Sequence, residues 1–174
     1  MTIELSQIRY DTASNIIRKE LPSEWALTST SAIYATVKDK DGDELVARAS
    51  ATQYTSTTLN AAVSAGDSSF VLSAGAGALE PGDRIRILDS DAGPDEDIVV
   101  DYYDSSTRTV HPKSSLRSSH SSGAAVVGMW ATVDIDTSDE DTYTKGLGIV
   151  ILWEHGSAEE PGYKYDTDTY KISV

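Results

Sequence analysis

The sequence predicts an all-β protein, a sandwich or a barrel. Short runs of alternating apolar and polar residues recur about every 8–12 residues, separated by turn residues. Helical periodicity is almost absent along the 174 residues. The aromatic set is nine Tyr, three Trp and one Phe. That set suits half-buried strands, where a ring packs inward and its hydroxyl reaches water.

In chain order, Ile3, Leu5, Ile8 and Tyr10 fall near alternation and predict a strand over 2–10. Residues 12–20 fit either a short helical turn capped by Thr12 or Ser14, or a loop and strand. Leu21-Pro22 opens a Pro-marked connection that carries Trp25. Residues 31–38 alternate, with Ile33, Ala35 and Val37 on one face. Asp41-Gly42 then signals a hairpin whose partner strand runs over 44–51.

The composition turns to Thr, Ser, Ala and Asn after residue 52, which predicts a boundary near 54–58. Strands are expected over 67–73, 84–88, 98–103, 107–111 and 124–127. A Gly-rich stretch over 74–83 ends in a Pro81-Gly82 turn, and 89–97 forms an acidic loop. Residues 112–122 form a Ser-rich loop. Residues 129–136 alternate again, with Ala131, Val133 and Ile135 on one side. The run 147–153 is the most apolar and predicts a central strand. Residues 163–174 read as one long strand or two short ones. The expected organisation is nested, with an outer sandwich from 1–53 plus 128–174 and an inserted β module from 54–127.

Charge narrows the partners. Fourteen Lys and Arg against 28 Asp and Glu give a formal net charge of −14. Phosphate backbones and anionic lipid surfaces need clustered cations, so neither specific nucleic-acid binding nor membrane association is expected. No apolar run approaches the ~18 residues of a membrane helix, and Met1–Leu5 lacks the basic and apolar regions of a signal peptide. With no Cys there is no disulfide, thiolate metal site or cysteine nucleophile.

Chemical motifs are sparse. Asp39, Asp41 and Asp43, followed by Glu44, are spaced like the start of a calcium loop, but the late Glu of that loop is missing. A solvated hairpin turn is the simpler reading. His111, His120 and His155 stand singly beside turn residues, without the spacing of a zinc site, and read as loop histidines. No Gly-x-Ser-x-Gly or phosphate-cradling Gly-Lys-Ser/Thr occurs. No catalytic residue, cofactor or metal is therefore expected. Trp25 beside Pro22 is the aromatic expected at the surface, whereas Trp153 is expected in the core. The long loops carry the expected protein contacts: Asp89, Asp91 and Asp95 in one, Lys113 and Arg117 in the other.

The stretch 57–127 resembles a small β module of tailed-phage virion proteins. The matching residues are Ala65-Gly66-Asp67-Ser68-Ser69-Phe70-Val71-Leu72, Leu79-Glu80-Pro81-Gly82-Asp83-Arg84-Ile85-Arg86-Ile87 and His120-Ser121-Ser122-Gly123-Ala124-Ala125-Val126. Ala35 to Val46 and Gly148 to Trp153 resemble strands of immunoglobulin-like domains in phage baseplate, tail and neck proteins. The resemblance implies an immunoglobulin-like sandwich with an inserted barrel-like module. It implies a non-enzymatic virion structural protein, made in the host cytoplasm and placed in the particle. Its partners would be other virion proteins and further copies of itself in a symmetric assembly. A head–tail neck role, as adaptor or head-completion component, leads over capsid decoration and over a tail or baseplate part. A carbohydrate-binding or adhesin domain, using exposed Trp and Tyr and a calcium loop, is the alternative of another class; an enzyme comes third.

Overall fold

The computed structural model describes residues 6–9, 12–23, 25, 27, 32–53, 57–73, 79–89, 93–138, 143, 146–156 and 164–173. Ile3, Leu5, Tyr10, the Gly-rich stretch 74–78 and the acidic turn 139–141 lie outside them. The described residues hold fourteen strands and no helix. Residues 12–20, open to two readings, form a strand. The chain divides into two compact units, one of residues 1–19, 31–52 and 131–174, the other of 20–30 and 53–130.

The first unit contains β1 (Ser6–Arg9), β3 (Ala32–Asp39), β4 (Glu44–Ser50), β13 (Gly148–Gly156) and β14 (Lys164–Ser173) and, short of one end residue each, β2 (Asn15–Glu20), β5 (Thr52–Gln53) and β12 (Trp130–Ile135). Five of them form a sheet of order β1-β14-β13-β3-β4, and three form a second of order β2-β12-β5. The apolar run of β13 is central, paired with β14 on one side and β3 on the other, and its Ile149, Ile151 and Trp153 are buried. Trp153 stands opposite Ala35 and Ile151 opposite Val37, so a small residue leaves room for the indole. The β3–β4 hairpin turns at Gly42, whose φ of 94° favours glycine. β1 adds to β14 in parallel at the sheet edge.

A buried polar knot fixes the end of β1. Asn15 Oδ1 accepts the Arg9 N–H at 3.0 Å, while its amide donates to Ile135 O and to Thr137 Oγ1. The Thr137 hydroxyl donates to Arg9 O at 2.6 Å. Both side chains are buried, so each must find partners inside the protein.

The second unit contains β6 (Thr57–Thr58), β7 (Phe70–Val71), β8 (Arg84–Leu88), β9 (Glu96–Asp104), β10 (Thr109–Pro112) and β11 (Ala125–Gly128). They form one sheet of order β6-β11-β8-β9-β10-β7. Its two ends meet: Leu59 bridges Leu72, with Asn60 N donating to Val71 O and Ser73 N to Thr58 O. Ile85, Ile87, Ile98, Val100, Val110 and Val126 alternate inward and fill the sheet with Leu59, Phe70, Leu72 and Leu116.

Residues 20–27, expected with the outer segments, pack instead on this second unit. Leu21, Trp25 and Leu27 are buried. Leu21 N donates to Met129 O at 2.8 Å. From the solvent side of β8, the Arg84 guanidinium donates to Leu21 O and that of Arg86 to Ser23 O and Trp25 O. Alternation on β8 thus turns isoleucines into the core and arginines onto the strap. The expectation of an exposed Trp25 is thereby corrected, its side chain being 1% exposed.

The β9–β10 hairpin turns on Asp104, whose carboxylate accepts the Ser106 hydroxyl, the Ser106 N–H and the Thr107 N–H. The Ser106 hydroxyl leads those bonds in holding its pKa down to about 2. The turn closes through Arg108, the described non-glycine residue with positive φ, at 59°. A left-handed backbone costs an L-residue about 1–2 kcal/mol. Glycine relieves that strain but adds about 0.4–1 kcal/mol of unfolded-chain freedom. Arg108→Gly is therefore expected to be neutral to stabilising, by up to about 1.5 kcal/mol, and to hold or raise the thermal midpoint; a lower midpoint would refute the strain argument.

Candidate functional site

Two loops leave the same end of the second unit. One joins β8 to β9 and carries Asp89, Gly93, Pro94 and Asp95; the other joins β10 to β11 and spans 113–124. β8 pairs with both β9 and β11, so the strand order sets these loops side by side. Their meeting point is made of buried carboxylates. Glu96, at the first position of β9, accepts the Arg117 N–H at 2.8 Å and the Ser118 N–H at 3.1 Å. Its Oε2 also bonds His120 Nε2 at 3.0 Å. Asp89 accepts the Ser121 N–H at 2.5 Å and lies 3.8 Å from His120 Nδ1. Asp89, Glu96 and His120 are at most 5% exposed.

A third loop joins the clamp. His120 and Val63 exchange both backbone hydrogen bonds, each at 3.0 Å. Gly66 N donates to Leu116 O, Leu116 N to Asp67 O, and Ala65 N to Ser119 Oγ. Gly93 completes the contact, since a Cβ there would sit 2.9 Å from Ser119 O. Loop against loop, the backbone comes too close for any side chain.

Electrostatics explain why the cluster tolerates burial. Burial alone would push the Glu96 carboxyl up, but the Arg117 N–H, His120 and the Ser118 N–H together outweigh it and hold the group below its ordinary range. Asp97, next along β9, turns outward and receives both arms of Arg86, at 2.5 and 3.0 Å. Asp89, Glu96 and Asp97 are therefore spent on holding the protein's own groups.

Outside the clamp lies a cleft of about 290 Å³. Glu96, Asp97, Ile98 and Val99 line one side, and Lys113, Ser114, Ser115 and Arg117 the other. Lys113 N anchors the second loop by donating to Val99 O at 2.9 Å. Along the outer face of β9, Val99 and Tyr102 stand exposed. Tyr102 faces outward because the β9–β10 register slips at Asp101, which alters the alternation beyond Val100. Its ring packs 5.7 Å from that of His111.

The expected contact residues divide accordingly. Lys113 and Arg117 meet at one cleft, and Asp95 is exposed beside it. Asp89 is corrected from a surface contact to a buried clamp, and His120 from a loop histidine to its hub. Asp91 lies outside the described residues. Trp130 and Trp153 are buried as well as Trp25, so none of the three tryptophans offers an open ring platform. The Asp39 carboxylate accepts the N–H groups of Asp41 and Asp43, and Asp41 pairs with Lys40 at 2.6 Å, as in a solvated hairpin turn. Among the described residues, no group of three or more His, Asp or Glu side chains is placed to hold a metal. Nor is any helix long and apolar enough to cross a membrane. The chain matches no protein-family model and no curated protein sequence.

Glu96→Gln replaces one oxygen by an amide that faces donors. It is expected to lower stability by about 1–3 kcal/mol at pH 7. Because the folded Glu96 titrates below its ordinary value, its contribution is complete above about pH 4.3 and fades as pH falls through the folded value. Urea midpoints of wild type and variant should therefore converge below pH 4; a gap that stays constant or widens there would contradict the clamp. Gly93→Ala should cost about 1–3 kcal/mol through the clash with Ser119 O. An unchanged urea midpoint would show that the loops are not locked together.

Proposed function

We propose that this chain is a non-enzymatic structural protein of a tailed-virus particle that binds neighbouring virion proteins. The observation that carries the reading is the loop clamp. Glu96 and Asp89 accept four groups of the facing loop, Arg117 N, Ser118 N, His120 Nε2 and Ser121 N, so the charges that could do chemistry hold backbone instead. A β scaffold whose loops are locked from within presents a fixed surface and loses little entropy when it docks. Lys113, Arg117, Asp95 and Tyr102 face out from it.

We read the first unit as an immunoglobulin-like sandwich and the second as a small barrel-like module, the pairing found in the virion proteins that the sequence resembles. The head–tail neck, as adaptor or head-completion component, is the preferred station. A net charge of −14 suits a ring around a DNA channel, because an acidic lumen does not grip passing phosphates. Capsid decoration and a tail or baseplate position follow.

The test is the protein composition of purified particles of a virus that encodes the chain. Quantitative mass spectrometry should find it at a fixed copy number set by a ring or lattice symmetry. Its absence from intact particles would overturn the proposal.

A further inference from the structure

The cleft beside the clamp is cationic in its unspent charge, although the chain as a whole is acidic. Both carboxylates lining it are committed, Glu96 to the facing loop and Asp97 to Arg86. The cations are held far less tightly. Arg117 pairs with Glu96 through Nε alone, at 3.6 Å, and keeps its side chain 76% exposed. Lys113 is exposed and, among the described residues, has no carboxylate within ion-pair distance. Ser114 and Ser115 add hydroxyls, and Val99, 38% exposed, supplies an apolar floor. Such a cleft fits a carboxylate-bearing protein segment.

The first unit carries a matching projection. In the β3–β4 hairpin, Asp39 is spent on the N–H groups of Asp41 and Asp43, and Asp41 on Lys40. Asp43 and Glu44 remain exposed at its tip. The turn is fixed by its own hydrogen bonds, so docking it costs little ordering.

We infer that the Lys113–Arg117 cleft of one copy receives the Asp43–Glu44 hairpin tip of a second copy. The two surfaces differ, so the contact is head-to-tail and repeats from copy to copy into a ring or a filament. The inference rests on the reading of the chain as an assembly subunit and names the contact that would build the assembly.

Charge exchange tests it on the full chain by sedimentation at low and high salt. Wild type should self-associate, and more weakly in high salt, because exposed pairs are screened. Lys113→Glu/Arg117→Glu and Asp43→Lys/Glu44→Lys should each raise the dissociation constant at least tenfold. All four side chains are exposed, and unchanged melting curves would verify that both variants fold. Mixed one to one, the variants should associate again, since the acidic cleft of one then faces the basic tip of the other. Wild type that stays monomeric at millimolar concentration would overturn the inference while leaving particle incorporation through other proteins intact. Association indifferent to both variants, or lost only in the cleft variant, would overturn the hairpin as occupant. Absence from particles would strike the functional reading instead and leave the sedimentation result standing.

Discussion

The second unit depends on a buried carboxylate that must not go unpaired. Glu96 sits at the first position of β9 with its side chain almost wholly out of water. An ionised group in that position is tolerated only when donors surround it. The donors come from a loop about twenty residues further on, and supplying them dictates that loop's path. Once Arg117 N and Ser118 N point at Glu96, His120 is carried inward between Glu96 and Asp89. Leu116 is then delivered to the core. Val63, Gly66 and Asp67 follow, because their backbone groups pair with the same stretch. One desolvated charge thus organises three loops that have no regular ladder of their own.

The same economy governs the strap over β8. Its backbone carbonyls would be stranded beside buried Leu21 and Trp25 without partners, and a lost hydrogen bond there costs about 1–3 kcal/mol. Arg84 and Arg86 supply donors from the polar face of a strand whose other face is core. Guanidinium suits the task because its donors fan out in a plane: Arg86 reaches Ser23 O, Trp25 O and both Asp97 oxygens together. These two arginines are therefore consumed in structure, whereas Lys113 and Arg117 keep their charges at the surface.

What the sequence discloses follows from the range of the interactions involved. Strand alternation is local, and Arg84–Leu88, the strand Ala32–Asp39 and the central β13 all lie close to where their patterns place them. The β9 bulge is not local. Its extra residue is decided by pairing with His111 and Pro112, so an exposed Tyr102 cannot be read from Val-Val-Asp-Tyr-Tyr. Trp25 misled for a similar reason. Proline and polar neighbours mark a connection, but nothing nearby reveals that arginines sixty residues away will fasten it down. His120, Asp89 and Glu96 each look like solvated loop residues. Their burial follows from meeting one another across 24 and 31 positions, which no spacing rule anticipates. Lys113 and Arg117 are exposed, as a charged residue in a long loop is unless something intervenes.

Sorting of charge ties these features together. An acidic chain that left its carboxylates and cations mixed at random would present a uniformly repulsive surface to its own copies. Here Asp89 and Glu96 are drawn onto the facing loop and Asp97 onto Arg86, while Lys113 and Arg117 are left exposed. That arrangement creates a local reversal of sign on a molecule of net charge −14. Such a reversal is directional: it attracts one kind of surface in one place while the remaining surface still repels. In the assembly proposed above, like-charge repulsion elsewhere confines association to the complementary faces, and the locked loops keep the cleft itself unchanged from one copy to the next. Repetition of one contact at a fixed angle is what a closed ring requires.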